Sequence, residues 1–190
     1  MSDSYRRHKD FDPALLGKVL KQAEEKGAGY VTATISDEAR KVYRCASAVG
    51  CESHLATGYL RFKELVENEL VARADFEHDV VDIVLSHFMR RFPMKKVVII
   101  SNDVAYAGQN NRIFKEPASM YAEVSGQTDQ KPAGADAEWI TYYDSQYIEA
   151  RRNRKLAMRH IPKKLWKKFG LEEASKIDKG ILGNTLSDFL

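Results

Sequence analysis

The chain is poor in cysteine, with only Cys45 and Cys51 among 190 residues. In a helical reading these two face different ways, so no disulfide is expected between them, in agreement with a reducing compartment. Long apolar runs are missing too: none reaches about 18 residues, so no transmembrane helix is indicated and no membrane partner is expected. The opening MSDSYRRHKDFD has no apolar segment of the signal-peptide kind, so a cytoplasmic protein is expected. There is no Gly-rich phosphate loop, no G-x-S-x-G elbow, no four-cysteine cluster and no i,i+4 histidine pair, so no cofactor and no metal is expected. Cys51 and His54 form a C-x-x-H without a second ligand pair, and packing is the simpler reading of both.

The most telling absence is local. Between residues 151 and 168 there is no Asp or Glu, while nine cations occur: Arg151, Arg152, Arg154, Lys155, Arg159, Lys163, Lys164, Lys167 and Lys168. With a formal charge of +3 for the whole chain, these nine leave the remainder at −6. An ordinary exposed helix mixes signs so that i,i+4 pairs form, whereas this block repels itself unless an anion completes it. Trp166 and Phe169 lie within or beside it, and Tyr142, Tyr143 and Tyr147 precede it. Cations with interleaved rings suit a polyanion carrying stackable bases, because the cations displace condensed counterions and the rings offer a π face.

What is present otherwise is ordinary for a globular domain, at 44% hydrophobic and 30% charged. Asp12-Pro13 predicts a helix start, with Leu15, Leu16, Val19 and Leu20 as its apolar face and Gly27 and Gly29 closing it. Residues 30–35, YVTATI, read as a short strand or extended connector. Ser36 reads as the N-cap of the next helix, with acids in its first turn. The runs TGYLRFKEL and ELVARADF, divided by Val66-Glu67-Asn68, predict a hairpin over 57–76. Val80, Val81, Val84, Leu85 and Phe88 have helical spacing, and Pro93 stops that helix. Residues 96–101, KVVIIS, read as a strand buried on both sides. Asn102-Asp103 reads as a turn, and residues 105–107 and 112–114 as a second hairpin about the turn at 108–111. Residues 125–135 have a loop composition. A basic helix follows from Asp136 to about His160, and a shorter one runs from Pro162 to Gly170.

Three blocks carry a resemblance: ARKVYRCASAVGCESHLATGYLRFKE, FEHDVVDIVLSHFMRRFPMKKVVIISND and SQYIEARRNRKLAMRHIPKKLWKKF. In order and spacing, over roughly Glu38 to Phe169, they resemble a family of functionally uncharacterised domains regarded as DNA repair or DNA metabolism proteins. The resemblance implies a DNA-related role and a radical SAM partner protein, and in some chains of the family the domain is fused behind a uracil-DNA glycosylase domain. It supplies no reaction.

His54, His78, Asp79, His87 and Asp103 are the candidate catalytic residues, each lying inside a block that fits the family pattern. An imidazole oriented by a carboxylate can activate water at a sugar or a phosphate. Taken singly, His87 beside Phe88 reads as a core residue and Asp79 as a helix-start residue. Arg61, Arg90 and Arg91 either extend a phosphate-binding track from the basic block or pair with Glu64 and Glu67. At the C-terminus, Leu186, Phe189 and Leu190 are spaced as a one-turn hydrophobic plug resembling sliding-clamp-binding peptides, with Gly183 where their leading glutamine stands; docking on the chain's own domain is the alternative.

The expectation is therefore one α+β domain over residues 1–170, mainly an antiparallel sheet with helices packed on it and a C-terminal basic helix, followed by a tail over 171–190. Its expected function is DNA binding in repair or base modification. The alternatives are a hydrolase of nuclease or glycosylase type using His54, His78 or Asp103, and a scaffold that docks an acidic partner protein.

Overall fold

The computed structural model describes residues 1–121 together with Leu165, Lys168 and Phe169. The loop at 125–135, the helix expected over 136–160, the aromatic at Trp166, the cations from Arg151 to Lys167 and the tail over 171–190 lie outside the described residues.

Four helices lead the chain: α1 (Ser2–Arg6), α2 (Pro13–Lys26), α3 (Ala28–Thr32) and α4 (Asp37–Tyr59). Asp12 caps α2 by accepting the Ala14 N–H at 2.9 Å, and Ser36 caps α4 by accepting the Ala39 N–H at 3.1 Å. Leu15, Leu16 and Val19 turn inward as expected, but Leu20 stays 47% exposed. In place of the strand or connector expected at 30–35, Ala33 and Thr34 form a turn after residues 30–32 complete the short helix α3. Its Val31 packs into a core with Tyr5, Leu15, Leu16, Val19, Ala39, Val42 and Ala46. Tertiary packing thus overrides the β-branched preference of this stretch, and Thr34, at φ +53°, breaks the helix just after its end.

The 23-residue α4 joins two cores. Ala39, Val42 and Ala46 face the first, while Val49, Ala56 and Leu60 face a second built with the sheet. It runs to Tyr59, past the expected hairpin start at Thr57, because burying both Ala56 and Leu60 keeps this stretch in helical phase.

The sheet has five strands in sequence order: β1 (Lys63–Val66), β2 (Glu69–Arg73), β3 (Lys96–Ser101), β4 (Val104–Gln109) and β5 (Arg112–Pro117). Three pairings are antiparallel, and β2–β3 is parallel, connected by α5 (Val81–Arg91). This is the mixed, mostly antiparallel α+β architecture expected. The β3–β4 and β4–β5 turns are two-residue loops at Asn102-Asp103 and Asn110-Asn111. All four residues have positive φ between 48° and 62°, the geometry that matches strand twist in tight hairpins. Side chains alternate, so Ala72, Val97 and Ile99 face α4 and α5, while Val71, Val98, Ile100, Ala105 and Ala107 face the side closed by Tyr121 of a 3-10 turn (Ala118–Tyr121). Leu165 and Phe169 join the helix-side core, and Phe169 has no exposed surface at all. Among the described residues no helix is long and apolar enough to cross a membrane.

Candidate nucleic-acid interface

The C-terminal turn of α4 and the last turns of α5 frame an open pocket of about 370 Å³ lined by His54, Leu55, Thr57, Gly58, Tyr59, His87 and Arg91. His54 is exposed and His87 half-buried. The His87 ring meets Phe88 edge-on at 5.1 Å between centroids, and Phe88 in turn meets Phe62 at 4.6 Å, so the imidazole is held from behind by the core. Arg91 lies over the ring of Phe92 at 5.7 Å. Arg61 follows the end of α4 and donates to the Gly58 carbonyl at 3.4 Å.

Glu64, one of the two acids named as alternative partners for these arginines, pairs with Lys95 at 2.8 Å. Among the described residues no carboxylate pairs with Arg61, Arg90 or Arg91, and all three are exposed. The carbonyl ends of α4 and α5 offset part of this charge, but each end amounts to only about half a negative charge against three full guanidinium charges. Among the described residues the surface here stays cationic.

His78 and Asp79 belong to a different place. His78 stacks on His8 at 4.5 Å between centroids and 29° between planes, and its Nδ1 accepts the Lys9 N–H at 3.3 Å. Its pKa is lowered, chiefly by burial; Glu52 opposes that shift and the His8 ring reinforces it. Asp79 does not cap α5: the N-cap position is Val80, and the Asp79 backbone is bonded both ways to Arg7, its N–H to the Arg7 carbonyl at 3.0 Å and its own carbonyl to the Arg7 guanidinium at 3.0 Å. Arg7 also forks onto Asp82 in the first turn of α5, at 2.6 and 2.9 Å. The N-terminal segment is thereby clamped onto the start of α5.

Behind that clamp lies Glu52, buried on α4. It accepts the N–H groups of Glu77 and His78 at 2.8 and 2.9 Å and forms an ion pair with Lys168, which also approaches Glu77 at 3.5 Å. Lys168, the cation of the basic block that lies among the described residues, is therefore held by the fold's own carboxylates.

On the other face of the sheet, Lys96 meets Glu69 and Glu116 at 3.1 Å each and the Tyr121 hydroxyl at 2.9 Å, while that hydroxyl bonds Glu116. Burial opposes the Lys96 charge, but its bonds to Tyr121, Glu69 and Glu116 outweigh it and raise the pKa well above the ordinary lysine value. Tyr121 is pushed up to about 12 by burial and then by Glu116.

Asp103, in the exposed β3–β4 turn at φ +62°, is a turn former. The fold thus brings His54 and His87 together, and no hydrogen bond or ion pair among the described residues joins either to His78, Asp79 or Asp103. Cys51 is exposed rather than packed. Among the described residues no group of three or more His, Cys, Asp or Glu is arranged to hold a metal ion. Glu52 and Lys96 escaped the sequence reading, although each leaves a trace there. Glu52 falls in the buried register of α4 between Val49 and Ala56, and Lys96 shares the parity of Val98 and Ile100.

Comparison with curated proteins and with solved structures yields no match. A family model described as a domain of unknown function, DUF4130, matches residues 12–170 and so begins well ahead of Glu38. Since that span takes in all of α2 to β5 as well as Lys168 and Phe169, the chain belongs to the DUF4130 family.

Proposed function

We propose that the protein binds DNA and serves in DNA repair or base modification, with a radical SAM protein as the partner that the family resemblance implies. The observation that carries this reading is the trio Arg61, Arg90 and Arg91, exposed beside an aromatic and histidine-lined pocket without carboxylate partners among the described residues. Uncompensated guanidinium groups grip phosphate oxygens in a forked geometry and release counterions on doing so. The acid-free block at 151–167 supplies more charge of the same sign, whereas Lys168 is spent on Glu52.

Fluorescence anisotropy with a short labelled duplex and a single strand tests the reading. Affinity is expected to fall steeply between about 50 and 200 mM salt, with about 0.9 in the log–log slope for each phosphate neutralised on a duplex. The triple variant R61E/R90E/R91E is expected to lose about tenfold or more in affinity and to flatten that slope. Salt-indifferent binding, or a triple variant that binds as the parent does, overturns the proposal.

A further inference from the structure

We infer that the pocket between the ends of α4 and α5 takes a single nucleoside phosphate, its phosphate held by His54, His87 and Arg91 and its base laid against Tyr59. This rests on the DNA-binding reading and narrows it to one nucleotide unit, either the phosphorylated end of a strand or a free mononucleotide.

Three observations converge. Among the described residues the lining contains two imidazoles, a guanidinium and a phenol but no carboxylate, so its charged side-chain chemistry favours an anion even though the nearby helix carbonyl ends offset part of that charge. Among the described residues none of these four side chains donates a hydrogen bond or enters an ion pair, so their donor groups are available to a ligand in the pocket they line. A phosphate monoester has enough acceptor oxygens to meet all of them. The volume of about 370 Å³ falls within the range of about 300 to 1,000 Å³ in which small-molecule pockets lie.

The walls fit the rest of a nucleotide. A Cβ placed on Gly58 meets nothing within 4 Å, so the backbone there is open to a flat group. Tyr59 packs partly on the helix-side core, which holds its ring in place as a stacking surface. Phe88 fixes His87 from behind, so the imidazole need not be ordered when ligand enters. A metal centre is the rival use of two histidines, but among the described residues no further ligand set completes one.

The test is an NMR titration of the full chain with histidine-selective 15N labelling. The probes are deoxyadenosine monophosphate, deoxyadenosine, inorganic phosphate, and a short single strand with either a 5′-phosphate or a 5′-hydroxyl. Deoxyadenosine monophosphate is expected to shift the imidazole signals of His54 and His87 and to leave those of His8 and His78 in place. Deoxyadenosine and inorganic phosphate alone should each bind about tenfold or more weakly, and R91A should weaken the nucleotide by about tenfold. Arg91 is exposed and outside all three buried clusters, so R91A is expected to keep the parent melting temperature.

If the 5′-phosphorylated strand shifts both histidines and the 5′-hydroxyl strand does not, the pocket receives strand ends. If only the free nucleotide shifts them, it is a mononucleotide site, and DNA affinity measured by anisotropy then stands or falls separately. The inference is overturned if the nucleotide leaves both signals unmoved while the chain still binds DNA. It is overturned equally if inorganic phosphate binds as well as the nucleotide, since the base would then contribute nothing.

Discussion

Lys168, from the acid-free stretch, sets its ammonium against the carboxylate of Glu52, which is only 6% exposed in the middle of α4. The pair stitches the end of the family-matched region to the helix that bridges both cores, and the Asp75 N–H donates to the Lys168 carbonyl at 3.2 Å beside it. Glu52 also satisfies two backbone N–H groups, so replacing it leaves three donors short of an acceptor. Glu52→Ala is expected to cost about 2–3 kcal/mol, because the half-buried Lys168 keeps only the exposed Glu77 and two backbone N–H groups lose their acceptor. Glu52→Gln keeps an acceptor and should cost about 1–2 kcal/mol. Urea denaturation midpoints check both, and equal stability for parent and alanine variant would show that the pair contributes nothing.

His78 predicts a pH dependence. Its folded pKa lies below the ordinary histidine value of 6.5, with burial as the main cause, Glu52 and Glu77 opposing and His8 and Lys168 adding to the shift. Above about pH 6.5 the ring is neutral in both states and stability is full. As pH falls from there, the unfolded chain takes the proton first, so stability declines until pH has passed the folded value. Glu38, Glu64, Glu77 and Glu116 have pKa values lowered from 4.5, so their contributions disappear at lower pH, in a separate window. Asparagine keeps an acceptor for the Lys9 N–H but does not titrate. His78→Asn is therefore expected to show a smaller drop in melting temperature between pH 7.5 and pH 5.5 than the parent, and an identical drop in both would remove His78 as the cause.

At the alkaline end the Lys96 network takes over. Both Lys96 and Tyr121 have raised values, so each loses its proton in the unfolded chain first, and stability is lost as pH rises from about 10 toward 12. Tyr121→Phe keeps the ring and removes the hydroxyl; it should cost about 1 kcal/mol at neutral pH and soften the alkaline decline. Lys96→Met leaves Glu69 and Glu116 facing each other, each side chain less than 20% exposed, and should cost about 2–3 kcal/mol at neutral pH. Melting curves at pH 8 and pH 10.5 check both variants; a Lys96→Met protein as stable as the parent would make the network ornamental.

The sequence carried the helix at 81–91, the strand at 96–101 and the Asn102-Asp103 turn plainly, because apolar period and positive-φ residues are local signals, whereas the turn expected over 108–111 is only Asn110-Asn111, Gly108 and Gln109 remaining in β4. It misled at 30–32, where the chain is helical and Val31 is buried in a cluster with residues of α1, α2 and α4, a tertiary placement that no local pattern reports. The grouping of His54 with His87 depends on how α4 and α5 meet, and so does the separation of both from His78. The carboxylate that meets Lys168 was hidden for a similar reason: its partner lies in another element, and only its place among buried residues of α4 hinted that it needed one.

Where α5 crosses the sheet, Gly108 of β4 lies directly beneath Met89 and Leu85. A Cβ built there would stand 2.5 Å from the Met89 sulfur, 2.8 Å from its Cγ and 3.1 Å from Leu85 Cγ. The atoms in the way are mid-chain atoms of a side chain only 9% exposed, so they can yield only by repacking the helix against the sheet. Gly108→Ala is accordingly expected to destabilise by about 1–3 kcal/mol. Met89→Ala alone opens a cavity at a cost of about 2–5 kcal/mol. Combined, the two changes should cost less than the sum of the separate losses, since the new methyl occupies space the thioether has vacated. Additive losses in denaturant melts of the four proteins would mean that Met89 does not set the close approach, and that Leu85 alone holds α5 to this point of the sheet.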